Sequence, residues 1–142
     1  MNENRIMNWS ECKRDFIRLV EIDNERVESM KKMAMERLEI ARKMKPSSNH
    51  ASFIVENYYE VIKELLTAYL LKNKMRSKNH QCLISFFHLK NPNHEREAFL
   101  ISQMSFFRNR LEYYGEKIPT IFYETNKDEF ENIIKILLEL IK

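Results

Sequence analysis

Arg108-Asn109-Arg110-Leu111-Glu112-Tyr113-Tyr114-Gly115 closes a long helical pattern, and Gly115 is the sole glycine among 142 residues. Glycine tolerates the left-handed backbone that commonly follows a helix end, because it has no Cβ to clash. Pro119 follows four residues later, where a chain that has left its helix can place it. The polar cluster Arg108, Asn109, Arg110 and Glu112 therefore falls in the last two turns of a helix with a defined stop. Cations there complement the helix dipole. The two arginines and the asparagine nevertheless interrupt an apolar pattern instead of extending a charged face.

Upstream, Phe99, Leu100, Met104, Phe107, Leu111 and Tyr114 give that helix its apolar side from His94 onward, after the loop Asn91-Pro92-Asn93. His80 to His88 reads as a short helix. The segment from about 50 to 75 is the most apolar: Phe53, Ile54, Tyr58, Val61, Ile62, Leu65, Leu66, Tyr69 and Leu70 form a stripe wide enough for two or three neighbours. Its basic tail of Lys72, Lys74, Arg76 and Lys78 reads as a solvated helix end, with RNA contact the alternative. Before it, Asp23 is expected to cap a helix bearing Val27, Met30, Ala34, Leu38, Ala41 and Met44, stopped at Lys45-Pro46. Ser47, Ser48 and Asn49 offer caps for the next helix.

At the N-terminus, residues 1 to 8 are polar and expected to fray. Asn8 or Ser10 caps a first helix carrying Trp9, Phe16, Ile17, Leu19 and Val20. Downstream of Pro119, Ile121, Phe122 and Tyr123 are expected to form an extended connection. A last helix from Thr125 or Asn126 then carries Phe130, Ile133, Ile134, Leu137, Leu138 and Ile141. The sum is all-α: one domain over residues 1–142, an up-down bundle of four main helices (about 24–45, 50–75, 94–114 and 126–141) plus two short ones. The apolar stripes look wider than a monomer can cover, which points to a homodimer.

Composition agrees. One glycine and three prolines leave little for hairpin turns. The net charge of +3, from 24 basic and 21 acidic residues, does not by itself announce nucleic acid. Cys12 and Cys82 read as two lone thiols of a reducing compartment rather than a disulfide framework. No apolar run approaches the ~20 residues of a membrane span, and Met-Asn-Glu-Asn-Arg has no signal-peptide core. The expected location is cytoplasmic. His80, Cys82, His88 and His94 match no closed zinc spacing, so no metal site is assigned. The eight methionines read as core filler. No phosphate loop can be built with a single glycine, and no Gly-x-Ser-x-Gly elbow is present. No cofactor is expected.

The closing stretch, Arg108-Asn109-x3-Tyr113-Tyr114-Gly115 at the end of the third long helix, resembles the signature of HEPN domains (higher eukaryote and prokaryote nucleotide-binding helical bundles). Tyr58-Tyr59-Glu60 through Ser77-Lys78-Asn79-His80-Gln81-Cys82-Leu83-Ile84-Ser85-Phe86 resembles the second helix and following turn of prokaryotic members, and the likeness spans roughly residues 24 to 141. The resemblance implies a dimeric bundle, often paired with a small nucleotidyltransferase in a toxin–antitoxin system. Many members are metal-independent ribonucleases whose motif is Arg, four to six residues, then His. Arg108 and Asn109 match, but Tyr113 stands at the histidine position. Arg76 to His80 leaves only three residues between. A phenol, which ordinarily titrates near ~10, is a poor base at neutral pH where an imidazole is a good one.

On an ideal helix positions 108 and 113 lie about 140° apart, whereas 109 and 113 share a face. A site using Arg108, Asn109 and Tyr113 would thus be completed by a second protomer at a two-fold cleft, with Arg108, Arg110 and Tyr114 holding RNA or nucleotide. The plain alternative pairs Arg108 with Glu112 on the surface. Two other functions stay open: a degenerate scaffold acting through protein–protein contacts, and a weak ribonuclease in which Tyr113 or a histidine from elsewhere moves the proton.

Overall fold

A computed structural model describes residues 5–45 and 50–142. Its elements in chain order are α1 (Trp9–Asp15), β1 (Arg18–Leu19), α2 (Asn24–Lys43), α3 (Ala51–Lys72), β2 (Met75–Arg76), α4 (His80–Lys90), a 3-10 turn (Pro92–His94), α5 (Glu95–Tyr114) and α6 (Thr120–Leu140). The four long helices and two short ones form an all-α bundle, and the two strands make only a short antiparallel ribbon. Among the described residues, no helix is long and apolar enough to cross a membrane.

The helix α3 is the centre. The helices α2, α4, α5 and α6 all pack against it, which is what so wide an apolar stripe requires. Ile54, Ile62, Leu65, Leu66 and Leu70 are buried among Leu38 of α2, Leu83 and Phe87 of α4, Ile101 of α5 and Phe130 of α6. The outer helices are also pinned by polar contacts. Arg42 of α2 meets Glu131 of α6 through Nε–Oε2 (3.1 Å) and a terminal nitrogen (2.6 Å), while the Tyr58 hydroxyl of α3 donates to the same carboxylate at 2.7 Å. The Ile118 amide donates to the Ser52 hydroxyl at 2.8 Å, fastening the loop between α5 and α6 to the start of α3.

Local signals act as their chemistry dictates. Asn8 and Asp23 cap α1 and α2 with their side-chain oxygens, and Gly115 takes φ +65° past the end of α5. Pro46 to Asn49 lie outside the described residues, so the stop at Lys45-Pro46 and the caps offered there do too, although α2 has already ended at Lys43. Residues 1–4 of the N-terminal stretch also lie outside the described residues. The Arg5 and Met7 carbonyls of that stretch accept from the hydroxyls of Ser102 (3.3 Å) and Ser85 (2.7 Å).

Four expectations are corrected. Ile121, Phe122 and Tyr123 are helical, because α6 begins at Thr120. Pro119 has φ −56°, compatible with entry into a helix, and Phe122 sits between the rings of Phe107 (4.7 Å) and Phe130 (5.9 Å). The first helix stops at Asp15, and Arg18–Leu19 pairs instead with Met75–Arg76. The basic tail therefore leaves the helix after Lys72 through Lys74, which takes φ +64°. Finally, Cys12 and Cys82 are bonded to each other. Packing of α1 on α4 brings them together across 70 residues of sequence, a proximity that spacing alone does not reveal. Such pairs persist in oxidising surroundings, so these cysteines do not argue for a reducing compartment.

Closing a loop of that length restricts the unfolded chain, and loss of such a bond typically costs about 2–4 kcal/mol. Dithiothreitol or the double Cys12→Ser, Cys82→Ser change is expected to lower the urea midpoint accordingly. Two freely titrating thiols in the native oxidised protein would contradict the pairing.

Candidate functional site

The helix α3 is buried on most faces, and its exceptions matter. Glu56, Glu60 and Lys63 are spaced at i, i+4 and i+7, so they line one strip of a mainly apolar helix. The C-terminal half of α5 packs on α3 and brings Arg108 to that strip. A terminal guanidinium nitrogen of Arg108 donates to Glu60 Oε1 at 3.2 Å, while Lys63 Nζ holds Oε2 at 2.6 Å. Arg108 is 18% exposed, and its other terminal nitrogen makes a long contact with Asn109 Oδ1 at 3.4 Å. Its Nε is buried with no hydrogen-bond partner. Leaving a buried donor unsatisfied costs about 1–3 kcal/mol, so this arrangement is an open valence at the helix seam.

The N-terminus of α4 supplies the third wall. The Asn79 side chain caps it by accepting from the Gln81 amide at 2.9 Å. Gln81 Nε2 in turn donates to the Ser105 hydroxyl (2.9 Å), which also receives the buried Tyr59 hydroxyl at 3.4 Å. His80 is thereby set beside the charged cluster. Burial pushes its pKa below the ordinary imidazole value, and the cations Lys63 and Arg108 push it the same way, against Glu60. Its ring is neutral at pH 7 and able to accept a proton.

The carboxylates divide. Burial alone would raise Glu60, but the hydrogen bond and charge of Lys63, with Arg108 and Arg37, hold it below its usual value. Burial raises Glu56, and the facing Glu112 raises it further. One end of the strip thus holds a firm anion beside two cations, and the other a carboxyl that retains its proton to higher pH.

The residues expected from the sequence are only partly assembled. Arg108 and Asn109 are at the seam, but Arg108 pairs with Glu60 across the helices and not with Glu112. Tyr113 and Tyr114 are 74% and 70% exposed and take no part in that contact. Arg110 is occupied on the outer surface, where Nε donates to Glu116 at 2.6 Å and the guanidinium lies over the Tyr114 ring at 4.9 Å. His80, Glu60 and Lys63 were missed as partners of Arg108. The available signal was that charges interrupting the apolar stripe of α3 repeat the anomaly of charges interrupting α5. Among the described residues, no group of three or more His, Cys, Asp or Glu side chains could hold a metal ion.

No family model, curated protein or solved structure matches the chain.

With its folded pKa lowered, His80 binds fewer protons than it does in the unfolded chain, where ~6.5 is usual. Stability should therefore fall as pH drops from about 6.5 towards the folded value, and rise again with pH. Urea melts at pH 5 to 7 on wild type and His80→Gln measure this. The variant is expected to show a shallower slope over that range, and an unchanged slope would contradict a sheltered His80.

Proposed function

We infer that the chain is a HEPN-like helical protein that binds RNA or nucleotide at the α3–α5 seam and cleaves RNA weakly. The observation that supports this reading is the sheltered Arg108 guanidinium, with an unpartnered Nε, beside a neutral His80. A guanidinium can hold a phosphate through two nitrogens, and the unpartnered Nε is one such donor. His80 takes the role that Tyr113 cannot.

The reaction is transesterification. His80 removes the proton of a ribose 2′-hydroxyl, the 2′-oxygen forms a bond to phosphorus, and the bond from phosphorus to the 5′-oxygen breaks. The imidazolium returns its proton to the leaving 5′-oxygen. Arg108 and Lys63 stabilise the charge that builds on the phosphoryl oxygens. Glu60 keeps the two cations in place before substrate arrives.

Phe53, Tyr113, Tyr114 and Ile121 are all exposed and flank the loop from α5 to α6, which supports a homodimer meeting at that end. A small nucleotidyltransferase as protein partner, in a toxin–antitoxin pair, follows from the resemblance in Arg108-Asn109 and the Tyr58–Phe86 segment. A second reading, a non-catalytic scaffold, draws on the Glu60 carboxylate that already neutralises part of Arg108.

Purified protein incubated with tRNA or mRNA in the presence of EDTA separates these readings. Cleavage is expected, falling by about 10²-fold or more in Arg108→Ala and in His80→Gln, as loss of a general base does. The acid limb of its pH profile is expected below ~6.5, where His80 takes up its proton. Cleavage that survives both substitutions would refute the site, binding without cleavage would keep the RNA-binding reading and remove the reaction, and neither binding nor cleavage would leave the scaffold.

A further inference from the structure

The basic tail that leaves α3 is not used by the Arg108 site. Its Arg76 stands directly opposite Arg18 in the ribbon of β1 and β2, so the two side chains share one face. Like charges at opposed positions destabilise a strand pair. Nothing nearby relieves them: among the described residues, Arg18, Arg76 and Lys78 form no ion pair. All three line a groove of about 490 Å³ between the end of α1 and the start of α4. Its one acidic lining residue, Asp15, is already held by Arg14, through Nε–Oδ1 (3.1 Å) and a terminal nitrogen to Oδ2 (3.0 Å). The groove therefore carries three cations without an ion-pair partner among the described residues.

The same groove has an aromatic wall. Phe16, at the C-cap of α1, is 43% exposed and lines it together with the cations. Exposed rings beside basic side chains suit a ligand with a flat apolar part and several negative charges. The volume falls within the ~300–1,000 Å³ common for small-ligand sites. The walls are pre-set, because the Cys12–Cys82 bond ties α1, which carries Phe16 at its end, to α4, which follows Asn79. Such preorganisation reduces the ordering that binding must supply.

We propose that this groove is a nucleotide site, with the base stacked on Phe16 and the phosphates held by Arg18, Arg76 and Lys78. None of the residues proposed to hold the nucleotide belongs to the Arg108 cluster, although Asn79, which caps the helix carrying His80, also lines the groove, and the proposal does not depend on the reading given to that cluster. The nucleotide is either a free nucleoside triphosphate or one unit of a single-stranded RNA.

Calorimetric titration with ATP and with inorganic triphosphate, and fluorescence anisotropy with a labelled single-stranded oligoadenylate, test the proposal on the oxidised full-length chain. ATP, the oligonucleotide or both are expected to bind, at least tenfold more weakly in Arg18→Glu. That substitution replaces a like-charge pair with an opposite-charge one, so its melting temperature should not fall, and lost binding is then not lost folding. Phe16→Ala should weaken ATP or oligonucleotide and leave inorganic triphosphate unchanged. Arg108→Ala should leave all of these affinities in place, which separates this groove from the seam. Binding of ATP identifies the free nucleotide as ligand, and binding of the oligonucleotide alone identifies the strand. The proposal fails if neither binds, if Arg18→Glu changes nothing, or if duplex RNA or inorganic triphosphate binds as tightly as the nucleotide ligands.

Discussion

The structure depends on α3 being enclosed by four other helices. A helix buried on nearly every face keeps charge in its interior only along a narrow strip, and here that strip is Glu56, Glu60, Lys63 and Glu64. Charges in such a place must find partners or shift their pKa values. The helix α5 provides the partner in Arg108, and the start of α4 adds His80. The candidate site is thus a consequence of how the core is closed. The polar groups that interrupt two apolar helices meet because each needs the other.

That origin also explains the imbalance within the cluster. Two cations share one carboxylate, and the guanidinium keeps a buried nitrogen without a partner. A purely structural ion pair would gain from satisfying every donor, since half-satisfied buried networks are costly. Residues held in such a state are candidates for chemistry, and a neutral imidazole beside a guanidinium chemically suited to a phosphate is such a combination.

Much of the fold was legible from periodicity and punctuation. The stripe on α3 foretold a helix with several neighbours, Asp23 and Asn8 marked their helix starts, and Gly115 marked the end of α5. What escaped were facts of long range. Phe122 looked like part of a linker because the ring it packs on most closely, Phe107, belongs to the preceding helix α5, while Phe130 lies eight positions further along α6 itself. Cys12 and Cys82 looked solitary because α1 folds back on α4 only in three dimensions. The seam was half legible: Arg108 and Asn109 stood out by interrupting an apolar pattern, whereas His80 belongs to another helix, 28 positions upstream in sequence. No histidine follows Arg108 on α5; His80 comes from α4, and Tyr113 is exposed.

The central claim is that Arg108 and His80 share one sheltered site. The most direct measurement is an NMR titration of the His80 ring in the wild type and in Arg108→Gln. The account predicts a pKa below the ordinary imidazole value in the wild type and a rise when the guanidinium is removed, because a neighbouring cation disfavours the imidazolium. An ordinary value that does not respond to the substitution would contradict it.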